Sequence, residues 1–255
     1  MMVPMARRSR SSLFFAAVLL LSGQPMPDAD FPAKAEFHFL RLEYTDGAWA
    51  RRGWGGSRGW WMQDWPEADA HFAQGIRRIT RIDIGENRHL PLSDIHIYDH
   101  PWIYATQTGF WDLSDAEVRR LGDYLERGGF LVVDDFYGPR DWAVFQQTMA
   151  RVLPGRPILD LEESDQLLHV LFDIEERTFI PGLRHLRPGG RIESQGGPPA
   201  WRAMYDRRGR LVVAINFNMD IGDAWEHADL PAYPAEMTGL AYRLGINYII
   251  YSMTH

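Results

Sequence analysis

Cysteine is absent from the 255-residue chain. That absence removes thiol nucleophiles, disulfide frameworks, cysteine-ligated zinc and iron–sulfur clusters together. Lysine is nearly absent as well: of 27 basic residues, all but Lys34 are arginine. An arginine excess follows from codon composition as readily as from selection for anion binding, so it assigns no function. Long apolar runs are missing, since the nine residues Leu13 to Leu21 fall well short of the roughly 18 that a membrane helix requires. A basic surplus is missing too. Acidic residues outnumber basic ones 34 to 27, giving a net charge of −7, which argues against a nucleic-acid partner.

What remains is globular in kind, with 45% hydrophobic and 24% charged residues, enough for one large domain with a real core. Arg7, Arg8 and Arg10 precede the apolar run, and the small residues Ser22 and Gly23 follow it, the layout of a secretory signal. Residues 1–23 are therefore expected to be a signal peptide, 24–35 a proline-containing linker, and 36–255 a single domain. The expected location is periplasmic or secreted, with membrane contact only through an uncleaved leader. Removing the three arginines with the leader moves the net charge from −7 to −10.

Alternation predicts a strand over residues 36–44, with Phe37, Phe39, Arg41 and Glu43 on one face and His38, Leu40 and Leu42 on the other. Asp64 and Glu67 have capping-box spacing ahead of a helix that buries Ala68, Phe72 and Ile76. Residues 102–106 read as a strand. Ser114 and Glu117 form a second capping box, stapled by Leu113 and Val118. Val118, Leu121 and Leu125 supply the buried stripe of that helix, and Gly128-Gly129 ends it. Phe130 to Val133 is a short apolar run suited to a strand covered on both faces. A helix is expected over 141–152, a strand over 157–161 and a helix near 165–172. A hairpin over 201–217 turns at Arg207-Arg208-Gly209, and a last helix spans about 235–253. Helices alternating with short buried strands predict an α/β fold with a mostly parallel sheet.

Several stretches carry a resemblance in their order: Phe37-x-Phe39-x-Arg41-Leu42-x-Tyr44, Trp65-Pro66-x-Ala68-Asp69, Pro101-x-Ile103-Tyr104 and Leu113-Ser114-x-x-Glu117. Gly128-Gly129-Phe130-Leu131-x-x-Asp134-Asp135, Asn218-x-Asp220-x-Gly222-Asp223-x-Trp225-Glu226 and Leu244-Gly245-x-Asn247-x-x-x-Tyr251 continue it. In these the chain resembles the bacterial family catalogued as domain of unknown function 4159, over about residues 36–255. The resemblance implies a flavodoxin-like, class I glutamine amidotransferase-like three-layer sandwich. It supplies no catalytic residues, and without cysteine the thiol route to glutamine hydrolysis is closed.

Candidate chemistry lies in a few places. Gly55-Gly56-Ser57-Arg58-Gly59 matches the nucleophile-elbow string but follows no buried strand, so it is expected to be a glycine-rich loop. His96-Ile97-Tyr98-Asp99-His100 has zinc-like spacing, yet Pro101 disfavours helix at His100 and Ile95 alternates with Ile97 as in a strand. Trp49, Trp54, Trp60, Trp61 and Trp65 fall within seventeen residues, a loop able to stack a ligand or to pack the first helix. Asp134 and Asp135 end the best-marked strand, where open α/β sheets bind ligands, and Asp220, Asp223 and Glu226 follow a later one. Such carboxylates can hold a divalent cation or act as an acid–base pair. They can equally be caps, since Asp223 and Glu226 also have capping-box spacing.

The expected ligand-binding residues are thus Asp134, Asp135, Asp220, Asp223, Glu226, Trp54 and Trp60, with a divalent cation as the candidate cofactor. Three functions fit. The first is a non-catalytic amidotransferase-like domain binding a small molecule or an envelope protein. The second is a carboxylate- or metal-dependent hydrolase or transferase. The third is an envelope assembly subunit that docks through the Trp-rich loop. Asp134 and Asp223 sharing a crevice would favour the second.

Overall fold

A computed structural model describes residues 35–50, 59–186 and 197–255. The expected signal peptide and most of the linker lie outside these residues, as do Trp54 and all of the glycine-rich string except Gly59. Among the described residues are seven strands in one sheet and six α-helices. The strands are β1 (Leu40–Glu43), β2 (Arg88–Pro91), β3 (Trp102–Thr106), β4 (Phe130–Phe136), β5 (Leu159–Asp160), β6 (Ala200–Tyr205) and β7 (Leu211–Phe217). The helices are α1 (Glu67–Ile79), α2 (Asp115–Glu126), α3 (Gly138–Val152), α4 (Leu183–Leu186), α5 (Ile221–Glu226) and α6 (Ala235–Thr254).

Sheet order is β2-β1-β3-β4-β7-β6-β5. The first five of these are mutually parallel, and β6 and β5 add antiparallel pairs at one edge. The fold is thus mixed α/β with a mostly parallel sheet. Strand period two divides the core in the way the sequence alternates. Phe37, Phe39, Trp102, Tyr104, Phe130 and Val132 pack with α1, α5 and α6 residues on one face. Leu40, Leu42, Ile103, Ala105, Leu131 and Val133 pack with Leu121, Leu125, Phe145 and Met149 on the other. Central strands buried on both faces explain why β3 and β4 lack polar residues until their carboxyl ends.

Local signals account for both ends of α2. Ser114 and Glu117 make the reciprocal capping box of α2, and Gly128 follows with φ +110°, a conformation costly for any side chain. Gly209 turns the β6–β7 hairpin at φ +79°. α3 begins at Gly138, three residues earlier than expected.

Residues 165–172 correct the expected helix. Only one 3₁₀ turn forms, Gln166–Leu168, capped by Asp165. The side-chain amide of Asn247 on α6 takes both backbone groups of Phe172: its Oδ1 accepts from Phe172 N at 2.9 Å and its Nδ2 donates to Phe172 O at 2.8 Å. With that backbone paired to α6, the segment has no helical bonds to extend. The βα alternation therefore stops after α3, and β5 is a two-residue antiparallel edge. No helix among the described residues is long and apolar enough to cross a membrane.

Candidate functional site

The carboxyl ends of β1, β3, β4 and β7 open into one crevice of about 450 Å³. β4 reaches it through an irregularity. Val133 pairs with Ile215 and Phe136 with Phe217, with a register shift between. Val133 and Phe136, three residues apart, therefore both face the α2–α3 side. The extra residue is absorbed at Asp135, whose φ is +50° and whose N–H donates to Met219 O. Bulges re-aim side chains in this way, and Asp135 lines the crevice. Its Oδ2 accepts from Gln107 Nε2 at 2.5 Å. Burial first, then the charges of Asp223 and Asp134, push its carboxyl up to about 7.

Asp134 points to the opposite side of the sheet and lies beneath the crevice without lining it. The expectation that Asp134 and Asp223 share the opening is corrected by one residue: Asp135 and Asp223 share it. Asp134 Oδ2 accepts from Tyr104 Oη at 2.8 Å and from Gly222 N at 3.0 Å, while its buried Oδ1 has no hydrogen-bond partner. Burial raises this carboxyl also to about 7. Asp134 therefore ties β4 to the start of α5.

The β6–β7 hairpin leaves β7 parallel to β4, so the segment after β7 reaches the same rim. Asp220 caps α5 by accepting from Asp223 N at 2.8 Å. The capping-box reading of Asp223 and Glu226 is thereby corrected, because Asp220 is the cap and its spacing to Asp223 is the operative one. α5 has only six residues, but Trp225 is fully buried and stacks on Phe72 of α1 at 4.0 Å, which fixes its orientation. Asp223 Oδ2 accepts from Leu183 N at 2.6 Å. Its Oδ1 lies 3.7 Å from His227 Nε2, and Glu226 Oε2 lies 3.9 Å from the same nitrogen.

Asp64 is the residue that sequence reasoning misplaced. It does not cap α1, which begins after Pro66 with no side-chain cap. With φ +61° it turns into the crevice, where Gln63 Nε2 donates to its Oδ1 at 2.5 Å. Its loop is held by Arg41, fully buried on β1, whose Nη1 donates to Trp61 O at 3.1 Å and Gln63 O at 2.8 Å. The same guanidinium pairs with Asp69 of α1 and lies 5.0 Å from the centre of the Tyr104 ring. Every edge of a buried arginine is thus occupied, and the loop is anchored to sheet and helix together.

The carboxylate oxygens of Asp64, Asp135 and Asp220 lie within 4.8 Å of one another, and so do ligand atoms of Asp223, Glu226 and His227. Asp64 and Asp220 are both pushed well above the ordinary carboxylate range, by burial first and then by the neighbouring acids. Glu226 is raised by burial, partly offset by His227. Among the described residues the arginine lining the crevice is Arg184, and no ion pair joins it to these acids. Acids so placed must share protons or hold a cation. An all-oxygen triad suits a hard divalent ion, and the group with His227 admits a softer one.

Trp60 lines the crevice, stacked on Phe110 at 4.3 Å, with Nε1 donating to Ala50 O at 3.3 Å. Trp61 and Trp65 pack near His89, whereas Trp49 is 41% exposed. Residues 95–99 form a 3₁₀ helix, which Asp94 caps by accepting from His96 N at 2.9 Å, in place of the strand-like alternation of Ile95 and Ile97. His96 pairs with Asp99, while His100 turns inward against His38, its pKa lowered to about 4 chiefly by burial. The two rings take separate partners at the amino ends of the strands, away from the crevice.

A family model described as "Domain of unknown function (DUF4159)" matches residues 38–253, and the chain belongs to that family. No curated protein matches the chain.

Proposed function

We propose that this chain is a cation-dependent ligand-binding domain, with a hard divalent cation held by Asp64, Asp135 and Asp220 and with Asp223, Glu226 and His227 as an adjoining donor group. One observation carries the reading: three carboxylates from three separate segments converge within 4.8 Å, with no basic partner in ion-pair contact among the described residues. Folding brings them together at an electrostatic cost that a bound cation offsets. The second reading, a metal-dependent hydrolase or transferase, is supported by Glu226 and His227 standing beside Asp223 on the same crevice, where a cation-bound water would meet a base.

The fold supports a finer assignment in the same direction. Numbered among themselves, the five parallel strands follow the order 2-1-3-4-5, the doubly wound order of flavodoxin-like sheets, which bind ligands beyond the carboxyl strand ends. This amidotransferase-like sandwich would act without thiol chemistry, after export directed by the N-terminal segment.

Titration calorimetry with Mn²⁺ tests the cation site. The parent should bind, and Asp135→Asn and Asp64→Asn should each weaken binding by about tenfold or more. Asparagine tolerates the positive φ at both positions, which keeps the backbone intact. Equal affinity in the parent and both variants overturns the reading.

A further inference from the structure

Besides the carboxylates, the crevice carries a cationic donor, Arg184. Residues 181–183 lead into α4, and Gly182 lets the chain run against the acids. A Cβ there would stand 2.8 Å from Asp220 Oδ2, 3.1 Å from Asp223 Oδ2 and 3.5 Å from Tyr137 Oη. The Tyr137 hydroxyl, buried at that point, has no acceptor among the described residues. Arg184 lies over the Tyr137 ring at 4.8 Å and lines the crevice. Its Nε donates to His185 Nε2 at 3.4 Å, and the Nη groups of a guanidinium stacked on an aromatic face can meet a planar or tetrahedral oxyanion. The crevice therefore offers acceptors in search of a cation and, in Arg184, a charged donor suited to an anion.

Resting on the cation reading above, we propose that the crevice takes its ligand as a cation–oxyanion complex: the cation on Asp64, Asp135 and Asp220, and a phosphate- or carboxylate-bearing small molecule on Arg184. Electrostatics sets the order of binding. Among the described residues, a free anion entering the crevice meets five acidic side chains and one guanidinium and is repelled. Once a divalent cation is seated, the anion gains a direct metal bond and a charge-assisted contact to Arg184. The oxyanion therefore binds only to the cation-loaded protein.

The test uses the purified full chain, Mn²⁺ as the cation, and inorganic phosphate and acetate as separate probes in calorimetry. Tighter binding of phosphate than acetate identifies a phosphoryl ligand, and the reverse a carboxylate. The expected result is that the preferred anion binds at saturating Mn²⁺ and shows no heat of binding in chelator. Arg184→Gln should weaken the anion by about tenfold, with Arg184→Lys intermediate because it keeps the charge without the fork. Mn²⁺ affinity should hold or rise in Arg184→Gln, since a positive neighbour is lost.

Anion binding of equal strength without Mn²⁺ overturns the inference. So does unchanged anion affinity in Arg184→Gln, or a rise in Mn²⁺ affinity there with no anion binding in the parent, which would make Arg184 a counter-ion only. In these cases the cation site stands, provided that Asp135→Asn weakens Mn²⁺ binding as set out above. Absence of Mn²⁺ binding in the parent overturns both.

Discussion

Asp134 and Asp135 show how closely a sequence can approach a site and still miss it by one residue. Their place at the end of a buried apolar run marks the ligand rim, because an unpaired acid does not enter a two-sided parallel strand without cause. Which of the two faces the opening depends on the bulge at Asp135, and that bulge is set by pairing with a strand about 80 residues later in the chain. Asp64 was hidden for a related reason. Its spacing to Glu67 satisfies a local capping rule, and only the anchoring of its loop by Arg41 decides that the side chain turns inward. The burial of Asp135 carries a consequence for pH. Its carboxyl titrates near 7 in the folded chain and near 4 when unfolded. Between those values the folded state holds a proton that the unfolded state has released, so stability falls as pH rises through that window. In chelator, Asp135→Asn should therefore melt several degrees above the parent at pH 8 and close to it at pH 4. A parent that melts higher at pH 8 would show that Asp135 is ionised without cost, and the electrostatic account of the site would fail.

Element existence was legible wherever local chemistry and burial agreed. The capping box of α2, the Gly128 stop, the β6–β7 turn and the alternating faces of β1 all appear in the structure as patterned. Elements failed where a distant side chain replaced a local bond, as when Asn247 took the backbone of Phe172. The connection from β1 to α1 is the element on which the site depends most. Arg41 donates to two of its carbonyls and pairs with Asp69 in full burial. Arg41→Ala should cost about 3–5 kcal/mol, because it leaves a buried aspartate and two carbonyls unpaired. A cleaner test is the double variant Arg41→Met, Asp69→Leu, which removes both charges and should recover most of that loss in urea denaturation. The loop carbonyls of Trp61 and Gln63 still lack their donor in it. Mn²⁺ affinity should consequently stay about tenfold or more below the parent, the usual effect of removing an outer-shell partner. A double variant that binds Mn²⁺ as tightly as the parent would show that Arg41 serves stability alone.

At the scale of the whole molecule, the acidic balance visible in composition becomes a local property of one rim. The net charge of −7 says only that a polyanionic partner is disfavoured. Convergence of acids from the ends of β1, β4 and β7 depends on strand order, which no local pattern encodes. Because those strands form the middle of the sheet, a cation seated between them links segments that otherwise repel, and its binding energy enters global stability. A ligand that binds only the folded state stabilises it by about 2.7 kcal/mol at one hundred times its dissociation constant. For a chain of this size each kcal/mol is worth roughly 2–4 °C. Saturating Mn²⁺ should therefore raise the melting temperature by about 5–10 °C at pH 8, measured by calorimetry against a chelator control. Protons compete for the same oxygens. Asp135 holds a proton below about 7, and Asp64 and Asp220 are raised in the same sense. The cation must displace those protons to bind at pH 5, so the shift there should fall to a small fraction of its value at pH 8. Na⁺ at matched ionic strength screens the acids without bridging them and should give little of the effect. A shift of equal size at both pH values, or one reproduced by Na⁺, would mean that the ion acts on the general surface charge and not on the three carboxylates at the strand ends.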